Sequence, residues 1–126
     1  MLVNVSNHPS SGWGKDQKMA AAVYGTVQDV RFPNIPSDWD ICQVEALAEQ
    51  LVNQIVSMKP TAVLCQGEMT LTYQLVKRLT AVGICVISAC SERIVQEEVL
   101  PDGTCRKIIE FHFAGFRKYE SDNDYS

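Results

Sequence analysis

The sequence predicts a small α/β domain built round a parallel sheet, and three observations carry that prediction. Short apolar runs alternate with segments of helical period, and Gly or Pro punctuates the passage from helix to the next run. The 126 residues, 46% hydrophobic, suffice for one compact core, whereas two cores would each be unusually small.

The elements follow in order. "LVNVS" (2–6) reads as a strand leading into the polar loop "NHPSSGW". A helix over 14–24 contains the Ala20, Ala21, Ala22 run, of high helix propensity, and closes at Gly25. A second strand, 26–32, runs into "PNIPSDWD", where Asp40 and Gln43 can cap a helix with the apolar stripe Ile41, Val44, Leu47, Ala48, Leu51 and Ile55. After "KP", 61–65 reads as a short buried strand, then "QGEMT", then a helix with Leu71, Leu75, Val76 and Leu79 on one face, ended by Gly83. A fourth strand covers 84–89. "IVQEEVL" and "TCRKIIEFHF", joined by "PDG", predict a C-terminal β-hairpin. Residues 1–119 form one domain, and 120–126, "ESDNDYS", are expected to be a disordered acidic tail.

A net charge of −4 and a pI near 5.1 give no electrostatic footprint for duplex DNA or an anionic membrane, so an anionic ligand must be held by a local site. The first apolar run is too short for a signal peptide, and no run approaches the ~20 residues that cross a bilayer, so a cytoplasmic location is expected. Cys42, Cys65, Cys85, Cys90 and Cys105 show neither a C-x-x-C pair nor zinc spacing and are expected to be reduced and mostly buried. No metal or cofactor is expected. "SGWGKD" lacks the first glycine and the Ser/Thr of a P-loop, having Pro9 and Asp16 in their places, and neither G-x-G-x-x-G nor G-x-S-x-G occurs.

Right-handed crossovers give such a sheet the strand order 2-1-3-4, a small Rossmann-like, three-layer arrangement with the hairpin added. Ligands of these sheets bind beyond the carboxyl ends of the strands, where the winding reverses, here between the loops after strands one and three. The candidates are Ser6, Asn7, His8, Ser10, Ser11, Trp13 and Lys15 in the first loop, Gly67, Glu68, Thr70 and Thr72 in the second, and Ser88, Ser91 and Arg93 after strand four. Helix N-termini favour phosphate, Lys15 and Arg93 neutralise it, and Trp13 can stack on a base, which together point to a nucleotide-like ligand. Each residue also has a structural reading. Ser10 and Ser11 can cap the first helix, Trp13 can pack as a lid, Glu68 can serve the dipole of the third helix, and Arg93 can pair with a neighbouring glutamate.

The strand ending in "SNHP", the segment "GEMTLTYQLVKRL", "CSERIV" and the ending "PDGTCRKIIEFHFAGFRKY" together resemble small stand-alone CRISPR-associated proteins with CARF-like domains, the Rossmann-like sensors of cyclic oligoadenylate. That resemblance implies a homodimer with the cyclic ligand bound across its two-fold axis, positions 6–11 and the "GEMT" positions lining the pocket. Some small members of the group are ring nucleases, which degrade this second messenger without metal.

Metal-free cleavage of a 3′,5′ linkage uses the adjacent 2′-hydroxyl as nucleophile and needs in-line geometry, proton transfer and positive charge on the phosphoryl oxygens. His8 is the candidate for proton transfer, Lys15 and Arg93 for charge, and Ser10 or Ser11 for orientation; the products would be linear oligoadenylates with 2′,3′-cyclic phosphate ends. Two other functions fit the same residues: a non-catalytic sensor or sponge for the same ligand, and a nucleoside-processing enzyme, a ribosyl hydrolase or transferase, using Glu68.

Overall fold

A computed structural model describes residues 1–120 of the chain. β1 (Leu2–Ser6) is buried along its whole length and lies at the centre, parallel to β2 (Val27–Arg31) on one side and to β3 (Ala62–Gln66) on the other. β4 (Cys85–Val99) extends the sheet in parallel, and β5 (Cys105–Lys118) closes it antiparallel, giving the order β2-β1-β3-β4-β5.

Successive side chains of a strand point to opposite faces, and here both faces are covered. Val3, Val5, Val63, Cys65 and Val86 meet α2 (Ile41–Ser57) and α3 (Met69–Ala81), while Leu2, Ala62, Leu64 and Ile87 meet Ala21 of α1 (Lys15–Ala22) and the indole of Trp13. Burial on both faces is why the central strands read as near-continuous apolar runs, with Asn4 the exception in β1. The result is an α/β fold with a Rossmann-like architecture.

α2 starts as its sequence predicts. The Asp40 carboxylate accepts from the Gln43 N–H, and the Gln43 side chain accepts from the Asp40 N–H. Val44, Ala48, Leu51 and Ile55 are buried, but Ile41, in the first turn, stays exposed because the stripe turns inward only after it. α1 begins at Lys15, later than expected, because Ser10–Gly12 form a 3-10 turn before it.

The largest departure concerns the end of the chain. The expected fourth strand, the loop after it and the first hairpin strand are one continuous 15-residue strand, β4. Nothing between Cys85 and Val99 is Gly or Pro, so the extended conformation runs on through "CSERI". Ser88, Ser91 and Arg93 are therefore strand residues, with no third loop to carry them. The hairpin is in turn the edge of the main sheet. Its one irregularity is a bulge where Cys90 pairs with Gly115 and Ser91 with Phe113, leaving Ala114 unpaired and Gly115 at φ +152°.

The cysteines also differ from expectation, for only Cys65 is buried; Cys85 and Cys90 are partly covered, and Cys42 and Cys105 are exposed. Burial pushes the Cys65 thiol up to about 12, which keeps it protonated and unreactive. Of the expected tail, Glu120 is exposed and residues 121–126 lie outside the described residues. No described helix is long and apolar enough to cross a membrane.

Candidate functional site

The site begins with one polar residue in the middle of the sheet. Asn4 is 1% exposed on the central strand, where an unpaired amide would be costly. Its Nδ2 donates to Asp29 Oδ1 at 2.9 Å and to the His8 carbonyl at 3.0 Å, and its Oδ1 accepts from Ser6 Oγ at 2.7 Å. Ser6 Oγ accepts in turn from the His8 N–H, and the Trp13 indole N–H donates to the same His8 carbonyl at 3.1 Å. Asp29, on β2, receives the Ser10 N–H and hydroxyl. The chain turns sharply after Ser6 because its backbone completes the hydrogen bonding of a buried amide.

The loop so fixed stands as a ridge between two concavities at the carboxyl end of the sheet. On the α1 side a cleft of about 280 Å³ brings together Ser6, His8, Trp13, Gln17, Gln66 and Ser91. Gln66 closes its floor by pairing with Ala89 of β4, accepting from the N–H at 3.1 Å and donating to the carbonyl at 3.5 Å. Its side chain thus prolongs the ladder past the last β3–β4 backbone pair, Leu64 with Ile87. On the other side of the ridge Asn7, Arg31 and Glu68 line a second hollow. Arg31 stands there because the register sets Arg31, Ser6 and Gln66 side by side at the ends of β2, β1 and β3.

Two helices present their N-termini to this end, and they differ. α3 is capped by Glu68, whose carboxylate accepts from the N–H groups of Thr70 and Leu71 and from the Thr70 hydroxyl. These bonds hold the Glu68 carboxyl below the usual carboxylate range, the Leu71 N–H contributing most, so it stays ionised and its negative charge already occupies the positive end of α3. α1 is preceded by Gly14, which gives no side-chain cap; Gly14 and Gln17 line the α1-side cleft, Lys15 lies outside that lining, and Asp16 places a carboxylate in the first turn. The start of α1 thus lacks a side-chain cap and carries Asp16 in its first turn, whereas that of α3 is occupied by the Glu68 carboxylate.

The predicted residues therefore separate. His8, Ser6, Trp13 and Ser91 share one cleft with the start of α1, while Asn7 and Glu68 face the neighbouring hollow. Trp13 is nearly buried, leaving little of its ring for stacking on a ligand. Ser10 is engaged by Asp29, and Ser11 lies exposed in the 3-10 turn. Gly67 and Thr72 line a groove with Met69 and Tyr73 on α3; an added Cβ at Gly67 would stand 2.5 Å from the Phe32 ring, so only glycine lets the chain pass there. Thr70 belongs to the cap. Ser88 faces Arg117 and Tyr119, and Arg93 lies on β4 two residues beyond Ser91, outside the lining of the cleft. Arg31, Asp29, Gln66 and Asn4 are absent from the sequence candidates. Only Asn4 carries a local signal, a polar residue inside the apolar run "LVNVS". Among the described residues no group of three or more His, Cys, Asp or Glu side chains is placed to hold a metal ion.

The family model described as "Uncharacterized protein MJ1673 family" matches residues 1–117, and the chain belongs to that family. No curated protein and no solved structure matches it.

Two outcomes test this geometry. Asn4→Ala and Asp29→Ala should each lower stability, the former by about 1–3 kcal/mol, and their double variant should lose less than the sum because both break one network. Denaturant melts measure this, and full additivity would refute the network. For Glu68, whose folded pKa is depressed, the stabilisation is present above its ordinary pKa and fades as pH falls through the lowered one. Thermal melts of wild type and Glu68→Gln should accordingly differ at neutral pH, by about 1 kcal/mol for a lost cap, and converge in acid.

Proposed function

We propose that this chain is a metal-independent ring nuclease that binds cyclic oligoadenylate, the second messenger of type III CRISPR defence, and opens it in the cleft between the first loop and β4. The observation that supports this most is a cleft at the topological switch point of the sheet that holds His8, contains no carboxylate in its lining, and takes Gly14 and Gln17 from the start of α1, which has no side-chain cap. A net-negative protein attracts a polyanion only through such a local arrangement. The resemblance of its motifs to CARF-like proteins supplies the identity of the ligand.

The chemistry needs no external nucleophile. A ribose 2′-oxygen attacks the adjacent phosphorus, the bond from phosphorus to the 5′-oxygen breaks, and the ring opens to a linear oligoadenylate with a 2′,3′-cyclic phosphate. The proton lost by the 2′-hydroxyl and the one gained by the 5′-oxygen balance, so no water is consumed. The imidazole of His8, which has no hydrogen-bond partner among the described residues, moves one of these protons. First-turn N–H groups of α1 and Lys15 receive the charge that builds on the phosphoryl oxygens. Arg31, in the adjoining hollow, takes the second cationic role that the sequence suggested for Arg93.

A non-catalytic sensor or sponge for the same ligand is the second reading, and one observation favours it: the α1-side cleft is lined by no carboxylate, so His8 stands without a second proton-transfer side chain. The Glu68 enzyme has less support, because both carboxylate oxygens serve the α3 cap.

Incubation of the purified chain with cyclic tri-, tetra- and hexa-adenylate in EDTA, resolved by mass spectrometry, separates these readings. The expected result is a linear product with a cyclic phosphate end. His8→Ala should slow its formation by about 100-fold or more while changing affinity little, and Lys15→Ala and Arg31→Ala should weaken binding by about tenfold. Tight binding with no product selects the sponge, and failure of all three rings to bind overturns the proposal.

A further inference from the structure

Beyond the last β3–β4 pair, Leu64 with Ile87, the β4–β5 hairpin leaves the body as a two-stranded ribbon. Such ribbons are at best marginally stable alone in water. Directly opposed residues share a face, and the pairs Arg93–Phe111, Val95–Ile109, Glu97–Lys107 and Val99–Cys105 make one of them. Val95, Val99, Ile109 and Phe111 on that face are 50%, 73%, 49% and 70% exposed. The strip continues the aromatic train Tyr24–Phe116–Phe113 that rises from α1.

The two faces differ in how their charges are used. On the opposite face Glu98 pairs with Arg106 and Glu110 with His112, within the ribbon. On the apolar face the side chains of Arg93, Glu97 and Lys107 form no hydrogen bond or ion pair among the described residues. Arg93 and Glu97 lie at equal distances on either side of Val95, with opposite charge. A two-fold axis passing between ribbons at Val95 and Ile109 would set each of these two charges against its complement.

We propose that the apolar face of the β4–β5 ribbon is the homodimer interface, two copies packing ribbon on ribbon with strands reversed, so that Arg93 meets the partner's Glu97, Val95 the partner's Val95, and Phe111 the partner's Lys107. Reversal follows from sterics: α1 stands on the same side of the sheet as the apolar face, and stacking the ribbons in the same direction would drive the two α1 helices together. Reversal also brings Val99 of each copy over the partner's Ser91, at the rim of the α1-side cleft. Each copy then keeps its own cleft, in place of the shared ligand that the CARF-like resemblance implies. The interface stands independently of the nuclease reading.

Sedimentation velocity on the full chain tests the proposal. Wild type should dimerise in the micromolar range. Arg93→Glu and Glu97→Arg, each placing like charges in register, should be folded monomers by circular dichroism. An equal mixture of those two variants should form a heterodimer, because the first carries acidic groups at both positions, the second carries basic groups at both, and each contact then joins opposite charges. A monomeric wild type, or a mixture that stays monomeric, overturns the proposal and leaves the face to a different partner.

Discussion

The candidate site depends on the satisfaction of one buried amide. Asn4 sits in the central strand, buried and with both neighbours in the ladder, and every polar atom of its side chain has a partner. Those partners come from three places, the end of its own strand, the turn after it and β2. Meeting them fixes the path of the first loop and holds the His8 backbone; the same carbonyl then takes the Trp13 indole, which seals the α1 side of the core. An apolar residue at position 4 would pack as well and leave the loop undetermined. Buried polar networks of this kind specify one arrangement provided that all members are satisfied.

A second constraint is electrostatic. Three helices begin near polar loops, and two use acidic side chains as caps, Asp40 for α2 and Glu68 for α3. Of these three, α1 starts without a side-chain cap, with Lys15 and Asp16 in its first turn and opposite the ridge that carries His8. In a chain of net charge −4, the absence of any carboxylate from the lining of the α1-side cleft makes it a local exception to the overall repulsion of anions. The same division explains why residues grouped by sequence divide in space: the "GEMT" positions mainly build and cap α3, and the "SNHP" positions form the wall between two hollows.

The body of the fold is readable in the sequence because its signals are local. The Asp40–Gln43 box and its stripe locate α2, and short runs that are apolar but for Asn4 locate β1 and β3, since covering both faces of a sheet removes any alternation. The ribbon escapes such reading for the converse reason: "CSERI" is polar because β4 leaves the body there and the helices no longer cover its two faces, and polarity of that origin resembles a loop. For the site, the rule that ligands bind at the carboxyl ends of parallel strands finds the first loop. It does not find Arg31 or Gln66, whose places are set by strand register; of the two readings the sequence offers for Glu68, the structure bears out the one that serves the α3 terminus.

The claim on which the functional account rests is that an anionic ligand enters at α1. Backbone amide shifts of the isotope-labelled chain, followed by NMR during titration with cyclic tetra-adenylate, test it residue by residue. The account predicts the largest changes at Lys15, Asp16 and Gln17 and in the first loop, with the capped amides of Thr70 and Leu71 little moved. Changes centred on the start of α3, with α1 silent, would contradict it.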